Sequence, residues 1–359
     1  MKNKLRSLLA LAVVAIAVFM FTMAVYGTGK FDVRNGTLVK YSGGGGAVKI
    51  PDNVTIIGEE AFAECRKITS VTVPNGVTSI ERAAFRNCDS MTTVSLPDSL
   101  RTIGESAFND CDSLRTVEIP SNVSSIGDEA FWICKSLASI SVHDKNKSYA
   151  SKDGVLYDKE FTTLVQYPGG KRDASFAIPS TVTIIGHAAF DSNEVLKSIT
   201  IPNGVTQIGD KAFKYCSALT SIVIPDTVTN VGDEAFKYCE SMESVVLSKN
   251  MTEISSQMFK YCESLKNVVI PDKVNNVGYM AFKYCDSLES VTIGSQVKSI
   301  GVDAFKYCDS LKRIYIPASV TEIDDDAFKY SSKFLNIYGT NGSFAERYAK
   351  DRKITFTAQ

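Results

Sequence analysis

"LPDSLRTIGESAFNDCDSLRTVEIP", residues 96–120, contains one full unit of a pattern that runs through the chain. Its Phe108 stands 23 residues after Phe85 and 23 before Phe131. Phenylalanine recurs at 62, 85, 108 and 131, then at 190, 213, 236, 259, 282, 305 and 328; every interval is 23 except one of 59, which is 23 plus an insertion of 36. Self-similarity at one fixed period is the signature of a repeat architecture, in which each unit is too small to bury its own apolar face and stacks on its neighbours.

Let this phenylalanine be position 21 of the unit, and the residue three later position 1 of the next. Position 4 is then Leu, Met, Ile or Phe (Ile68, Leu114, Leu219, Phe334), position 7 Val or Ile (Val71, Val117), and position 9 apolar (Val73, Ile119). The 4–7–9 spacing is the LxxLxL pattern of leucine-rich repeats. Alternation at 6–9 predicts a short strand with one face in the core. Proline, nine of the ten in the chain, closes it at position 10. Position 16 is Ile or Val, position 17 usually Gly and position 20 Ala in ten of eleven units. Gly at 17 is read as a positive-φ turn. An acidic residue after it, as in "IGDEAF", is read as the start of a short helical turn.

Units such as 96–120, keeping Pro, Ile-Gly, Ala-Phe and Cys at fixed offsets, resemble the BspA-like, or treponemal-type, leucine-rich repeats over about residues 31–340. The resemblance implies a leucine-rich-repeat solenoid, a β-rich α/β horseshoe of 23-residue repeats. Its parallel sheet would lie on the concave face and short helical turns on the convex side. It also implies secretion or surface exposure and adhesive protein–protein contacts.

The expected organisation is a signal peptide or signal-anchor at 1–29, an N-terminal cap at 30–50, a first repeat block at 51–143 and a hairpin insertion at 144–175. A second block at 176–338 and a C-terminal cap at 339–359 complete it. Lys2, Lys4 and Arg6 precede 18 uncharged residues, Leu8 to Val25, which reads as an export segment, cleaved or retained. The insertion and residues 31–62 share an outline, a Gly-led apolar strand leading through Tyr to "IP", "V", "IG" and "AF". The resemblance implies such hairpins at the start and between repeat blocks, so these stretches are read as a cap and a mid-solenoid spacer, with a protruding binding loop as the alternative for the insertion. At the other end Ser343 and Glu346 form a capping box, and a helix followed by a strand at Ile354–Phe356 is expected to cover the last rung.

All nine cysteines (65, 88, 111, 134, 216, 239, 262, 285, 308) occupy position 1; Asn193 and Ser331 take it in the other two units. Stacked rungs would hold their Cβ atoms about 4.8 Å apart and parallel, wrong for disulfides, which need converging Cβ atoms about 3.5–4.5 Å apart. A straight file offers zinc no tetrahedral centre, and the chain has two histidines, His143 and His187, in unlike contexts. Position 1 is read as a small buried wall site with a weak S–H donor to a neighbouring carbonyl. By resemblance it would be the counterpart of the asparagine ladder of other leucine-rich repeats.

Lys plus Arg is 39 and Asp plus Glu 40. That balance lacks the basic excess a general nucleic-acid binder needs. No catalytic constellation rises above the repeat, and no cofactor or metal is expected; "IDDDAF" at 323–328 has no EF-hand spacing. Two surface stripes remain. Lys214, Lys237, Lys260, Lys283, Lys306 and Lys329 recur at position 22 beside tyrosines at position 23. They form either a solvated lysine face with gap-filling tyrosines or a basic-aromatic strip for a glycan, an acidic polymer or a protein. Position 8 points out of the sheet and carries Val223, Val246, Val269, Tyr315 and Tyr338, flanked by Lys266, Lys312 and Arg313. Exposed apolar rows mark interaction sites, so these eight residues are the expected protein contact. The functional expectation is a monomeric, non-catalytic adhesion or protein-binding protein, secreted or at the cell surface. Its partner would be a host matrix or neighbouring-cell protein, and it would touch membrane only through its N-terminal segment. The alternative is a wall-associated or membrane-tethered spacer without a specific ligand.

Overall fold

The computed structural model describes residues 31–359; the export segment expected over 1–29 lies outside them. The chain forms two compact units that divide between Ser148 and Tyr149. Both are β-solenoids of 23-residue rungs.

In the second unit the position 6–8 strands build one nine-stranded parallel sheet, from Ser175–Ala177 through Ser221–Val223, Ser244–Val246 and Asn267–Val269 to Thr355–Ala358. Register follows the repeat: Val223 pairs with Val246 and Val269 with Thr292, each 23 residues on. The first unit carries shorter versions, Gly46–Lys49, Ile68–Thr72 and Thr93–Ser95 in one sheet, Thr116–Ile119 and Ser139–Val142 in another. Two-residue strands at positions 15–16, such as Ser79–Ile80 and Gln207–Ile208, form a second parallel row along each unit.

Between position 16 and the next position 1 the chain is not helical, contrary to the sequence expectation. Positions 19 and 23 adopt positive φ in nearly every rung, for example Glu60 at 53° and Glu64 at 64°, Glu234 at 56° and Tyr238 at 64°. This is the conformation of position i+2 in a type II turn. Alternate N–H groups then have different destinations. Ala61, Ala63 and Cys65 donate three residues back, to Gly58, Glu60 and Phe62, whereas Glu60, Phe62 and Glu64 donate to Arg82, Ala84 and Arg86 of the next rung. A helix would keep all these bonds inside one rung; this string of turns spends half of them on stacking. The position-17 glycines are not at positive φ. They are small because rungs approach closely: a Cβ on Gly104 would lie 2.7 Å from the carbonyl carbon of Glu81. Where a side chain does stand at this position, as in Ser255, its hydroxyl bonds the Val231 carbonyl.

The core is a file of position-21 rings. Phe62, Phe85, Phe108 and Phe131 stack at 4.8, 5.2 and 5.6 Å; Phe190 through Phe328 continue at 4.9–5.4 Å in the second unit. Each file is opened by a tyrosine, Tyr41 on Phe62 and Tyr167 on Phe190, both at 5.0 Å. The two tyrosines end matching hairpins. Phe31–Arg34 pairs antiparallel with Thr37–Tyr41, which runs parallel to Ile56–Ile57. Val155–Asp158 pairs antiparallel with Thr163–Gln166, which runs parallel to Ile184–Ile185. The insertion thus opens the second unit as residues 31–41 open the first.

The second unit closes with helix Phe344–Arg352, the one α-helix among the described residues. Ser343 caps it by accepting from the Glu346 N–H, and Glu346 reaches back to the Gly342 N–H. Lys353 ends it at φ 56°. Tyr348 meets Phe328 edge-on, and Thr355–Ala358 pairs with Asn336–Gly339. One core assignment from sequence changes in the last rung: Phe334 is 72% exposed and Leu335 is buried instead. The turn after position 1 closes one residue later there, Leu335 N–H donating to Ser332 where Ile68 N–H donates to Cys65.

Candidate protein-contact surface

Position 8 projects from the nine-stranded sheet on the side away from the phenylalanine file, because position 7 (Ile222, Val268, Val291) is buried. Val223, Val246 and Val269 are 60%, 56% and 67% exposed. Thr292 follows in register, then Tyr315 and Tyr338, whose rings stack at 4.9 Å. Six consecutive rungs therefore carry one row, three valines followed by a threonine and two tyrosines, on the face that meets water. Arg313, at position 6 of the Tyr315 strand, is exposed beside it.

Lys266 and Lys312 stand at the strand entrance, where Glu243, Lys266, Glu289 and Lys312 alternate in charge from rung to rung. Lys266 Nζ lies 2.7 Å from Glu243 and Lys312 Nζ 3.9 Å from Glu289. These exposed pairs are worth little in stability, but they make this border of the row near-neutral. Of the eight residues singled out from sequence, the five at position 8 and Arg313 thus project from one sheet face, and Lys266 and Lys312 stand at its border, already paired.

The position 22–23 stripe differs from the solvated lysine face that is one of its sequence readings. The lysines are not a solvated face: the side chains of Lys214, Lys237 and Lys283 are each 11% exposed. Each runs under its tyrosine towards position 19 of the adjoining rung. Lys214 and Lys237 share Glu234 at 2.6 and 3.3 Å; Lys283 and Lys306 share Asp303 at 2.7 and 3.1 Å; Lys329 reaches Asp326 at 3.0 Å. Burial alone would raise the Asp303 carboxyl, but bonds from Lys283 and Lys306 hold it below the usual carboxylate range. Over this ion ladder Tyr215, Tyr238, Tyr261, Tyr284, Tyr307 and Tyr330 stack at 4.5–5.1 Å. Each ammonium of the first four lies 5.4–5.6 Å from its own ring. Sequence gave the stripe but not its partners, because position 19 varies from rung to rung.

Position 1 is a thiol ladder. Eight cysteine Sγ atoms, from Cys88 to Cys308, lie 3.1–3.3 Å from the carbonyl of the phenylalanine 26 residues earlier, as Cys262 does from Phe236. Ser331 makes the same bond to Phe305. Asn193 instead accepts from the Val195 and Leu196 N–H groups, while Gln166 takes the carbonyl of Tyr167. Burial pushes the Cys65 thiol up to about 11 and that of Cys134 to about 12. Such thiols are poor nucleophiles. Among the described residues no group of His, Cys, Asp and Glu is arranged to hold a metal ion. In "IDDDAF" Asp324 accepts from the Asp326 N–H, Asp325 pairs with Arg352 and Asp326 with Lys329.

Rungs of this length, a parallel sheet on one side and turns on the other define a leucine-rich repeat protein. The chain belongs to the BspA type leucine rich repeat family, whose repeat region matches residues 45–152, 172–289 and 206–335. Among solved structures it is similar to a leucine-rich repeat protein from Eubacterium ventriosum, at 30% identity over 86% of this chain and 94% of that one, with a TM-score of 0.73. The fold is shared with the pneumococcal vaccine antigen PcpA, at 21% identity over 93% and 99% of the chains and a TM-score of 0.59. It is shared too with a Bacteroides ovatus leucine-rich repeat protein, at 24% identity over 93% and 98% and a TM-score of 0.53. No curated protein matches the chain.

Proposed function

We propose that the chain is an exported or cell-surface, non-catalytic protein that recognises a protein partner with the outward face of its nine-stranded sheet. The observation that carries this reading is the row Val223–Val246–Val269, more than half exposed in three successive rungs and continued by the Tyr315–Tyr338 stack. A spacer needs only β-branched residues that suit strands, and threonine serves; the first unit has Thr72, Ser95, Glu118 and Ser141 at these places. Burying three valines and two tyrosines against a partner removes apolar surface at about 25 cal/mol per Å², and tyrosine is a common anchor in interfaces. Leucine-rich repeats commonly bind proteins and the family is generally non-catalytic, with members commonly secreted or at surfaces. Among the described residues no helix is long and apolar enough to cross a membrane.

The test is binding of the purified chain and its Val223→Asp/Val246→Asp/Val269→Asp variant to an array of extracellular-matrix and cell-surface proteins. A saturable partner of the wild type that the variant loses, with unchanged circular dichroism, supports the reading. A partner bound equally by both removes the sheet face from it.

A further inference from the structure

The position 22 ion ladder is incomplete at one rung. Five of its six lysines have a carboxylate within ion-pair distance. Lys260 has none: its Nζ lies 3.3 Å from Gln257 Oε1 and 3.6 Å from Met280 Sδ, the residues that stand where other rungs have Glu234 and Asp303. Gln257 Oε1 is already engaged by Lys237 at 2.9 Å. The ammonium of Lys260 is half-buried between those of Lys237 and Lys283. Its own burial and then these two neighbours lower its pKa, and the more distant Glu234 and Asp303 offset this only in part. The same rungs expose apolar side chains on the turn surface: Tyr279 is 46% and Val302 45% exposed. Their backbones adjoin the two residues that line the gap, since Gln257 N–H donates to the Tyr279 carbonyl and Met280 N–H to that of Val302.

We propose that Lys260, with Tyr279 and Val302 beside it, forms a second binding site on this unit, and that its ligand is a carboxylate side chain within an acidic, apolar segment of a partner protein. Of the six lysines Lys260 is the one with no carboxylate within ion-pair distance, and a single carboxylate gives it the pairing the other five have. Charge-assisted hydrogen bonds are among the strong ones, and part-burial limits their screening. Inorganic phosphate fits less well: it brings more than one charge to a single ammonium without a carboxylate and leaves the tyrosine and valine bare. The site faces the turn side of the rungs, so it stands whether or not the sheet face binds.

The experiment is fluorescence anisotropy of a labelled Glu-Val-Glu-Val-Glu-Val peptide with the whole chain, with a Gln-Val-Gln-Val-Gln-Val peptide and inorganic phosphate as controls. The acidic peptide is expected to bind wild type, and to bind Lys260→Met and Met280→Glu about tenfold or more weakly. Met280→Glu keeps every lysine and supplies the missing carboxylate from within, as Glu234 does for Lys214, so its melting temperature is expected to be no lower than wild type. Val246→Asp, on the sheet face, is expected to leave the peptide affinity unchanged. Equal binding by wild type and Met280→Glu, no preference over the Gln peptide, or displacement by phosphate at matching concentration would each overturn the proposal.

Discussion

Replacing Cys262 separates the two roles a buried thiol can have in this ladder, filler and donor. Its side chain is fully buried and its Sγ lies 3.2 Å from the Phe236 carbonyl. That carbonyl also accepts the Cys239 N–H at 3.2 Å, so it keeps a partner when the thiol is removed. In Cys262→Ala the sulfur leaves a void. The transfer loss is about 1 kcal/mol on the scale of ~0.8 per methylene; incomplete closure of the cavity adds to it, and a weak bond worth about 0.5 kcal/mol is lost as well. The total is about 2 kcal/mol, which lowers the melting temperature by roughly 4–8 °C in a unit of this size. Cys262→Ser keeps a donor, and the structure already contains that solution at Ser331, whose hydroxyl bonds the Phe305 carbonyl. Its cost is expected to be about half that of alanine. Urea and thermal unfolding of the two variants measure this directly. A serine variant as unstable as the alanine variant, or more so, refutes the donor role and leaves the thiol as filler alone.

Three further outcomes are expected. Native protein titrated with a thiol reagent at pH 8 reacts at Cys65 first among the nine, yet more slowly than an ordinary thiol, with all nine reacting in guanidinium, because Cys65 is the one cysteine not fully buried and partial burial pushes its thiol up to about 11; rapid reaction of several thiols would contradict the ladder. Phe236→Ala, in the middle of the ring file at 5.2 and 5.4 Å from its neighbours, costs about 3–5 kcal/mol, whereas Tyr238→Ala, in the half-exposed outer stack, costs about 1 kcal/mol; denaturant midpoints compare them. The Asp303 carboxyl is held below its unfolded value of about 3.9. Its contribution is therefore complete above that pH and is lost as pH falls through the folded value, so Asp303→Asn is expected to reduce the acid-induced fall in stability below about pH 4, read from thermal melts between pH 2 and 7.

The period carried most of the fold. Leu219, Ile222 and Ile224 could be assigned to the core, and Val223 to the outside, because alternation in a strand is strict and every rung repeats the test. The turn region was less legible. "GDEAF" reads as a helix start, yet Glu234 and Tyr238 take left-handed φ, since the backbone donates alternately within and between rungs, and inter-rung bonds leave no local trace in sequence. Gly104 was correctly marked as special but for the wrong reason, crowding and positive φ having the same residue signature. The lysine stripe was visible as a column, but its burial and the gap at Lys260 depend on position 19 of the adjoining rung, 20 residues away. Phe334 misled because the turn before it closes one residue later, a shift that an apolar residue on either side conceals.

The most direct measurement of the sheet-face claim is site-specific photocrosslinking. A benzoylphenylalanine placed at Val246 is compared with one placed at Ser95, the same repeat position in the first unit. The prediction is one reproducible crosslinked surface protein from Val246 and none from Ser95, lost when Val223 and Val269 are changed to Asp. Identical crosslinks from both positions, or none from Val246 while the chain still binds its partner, would contradict recognition through this row of the sheet.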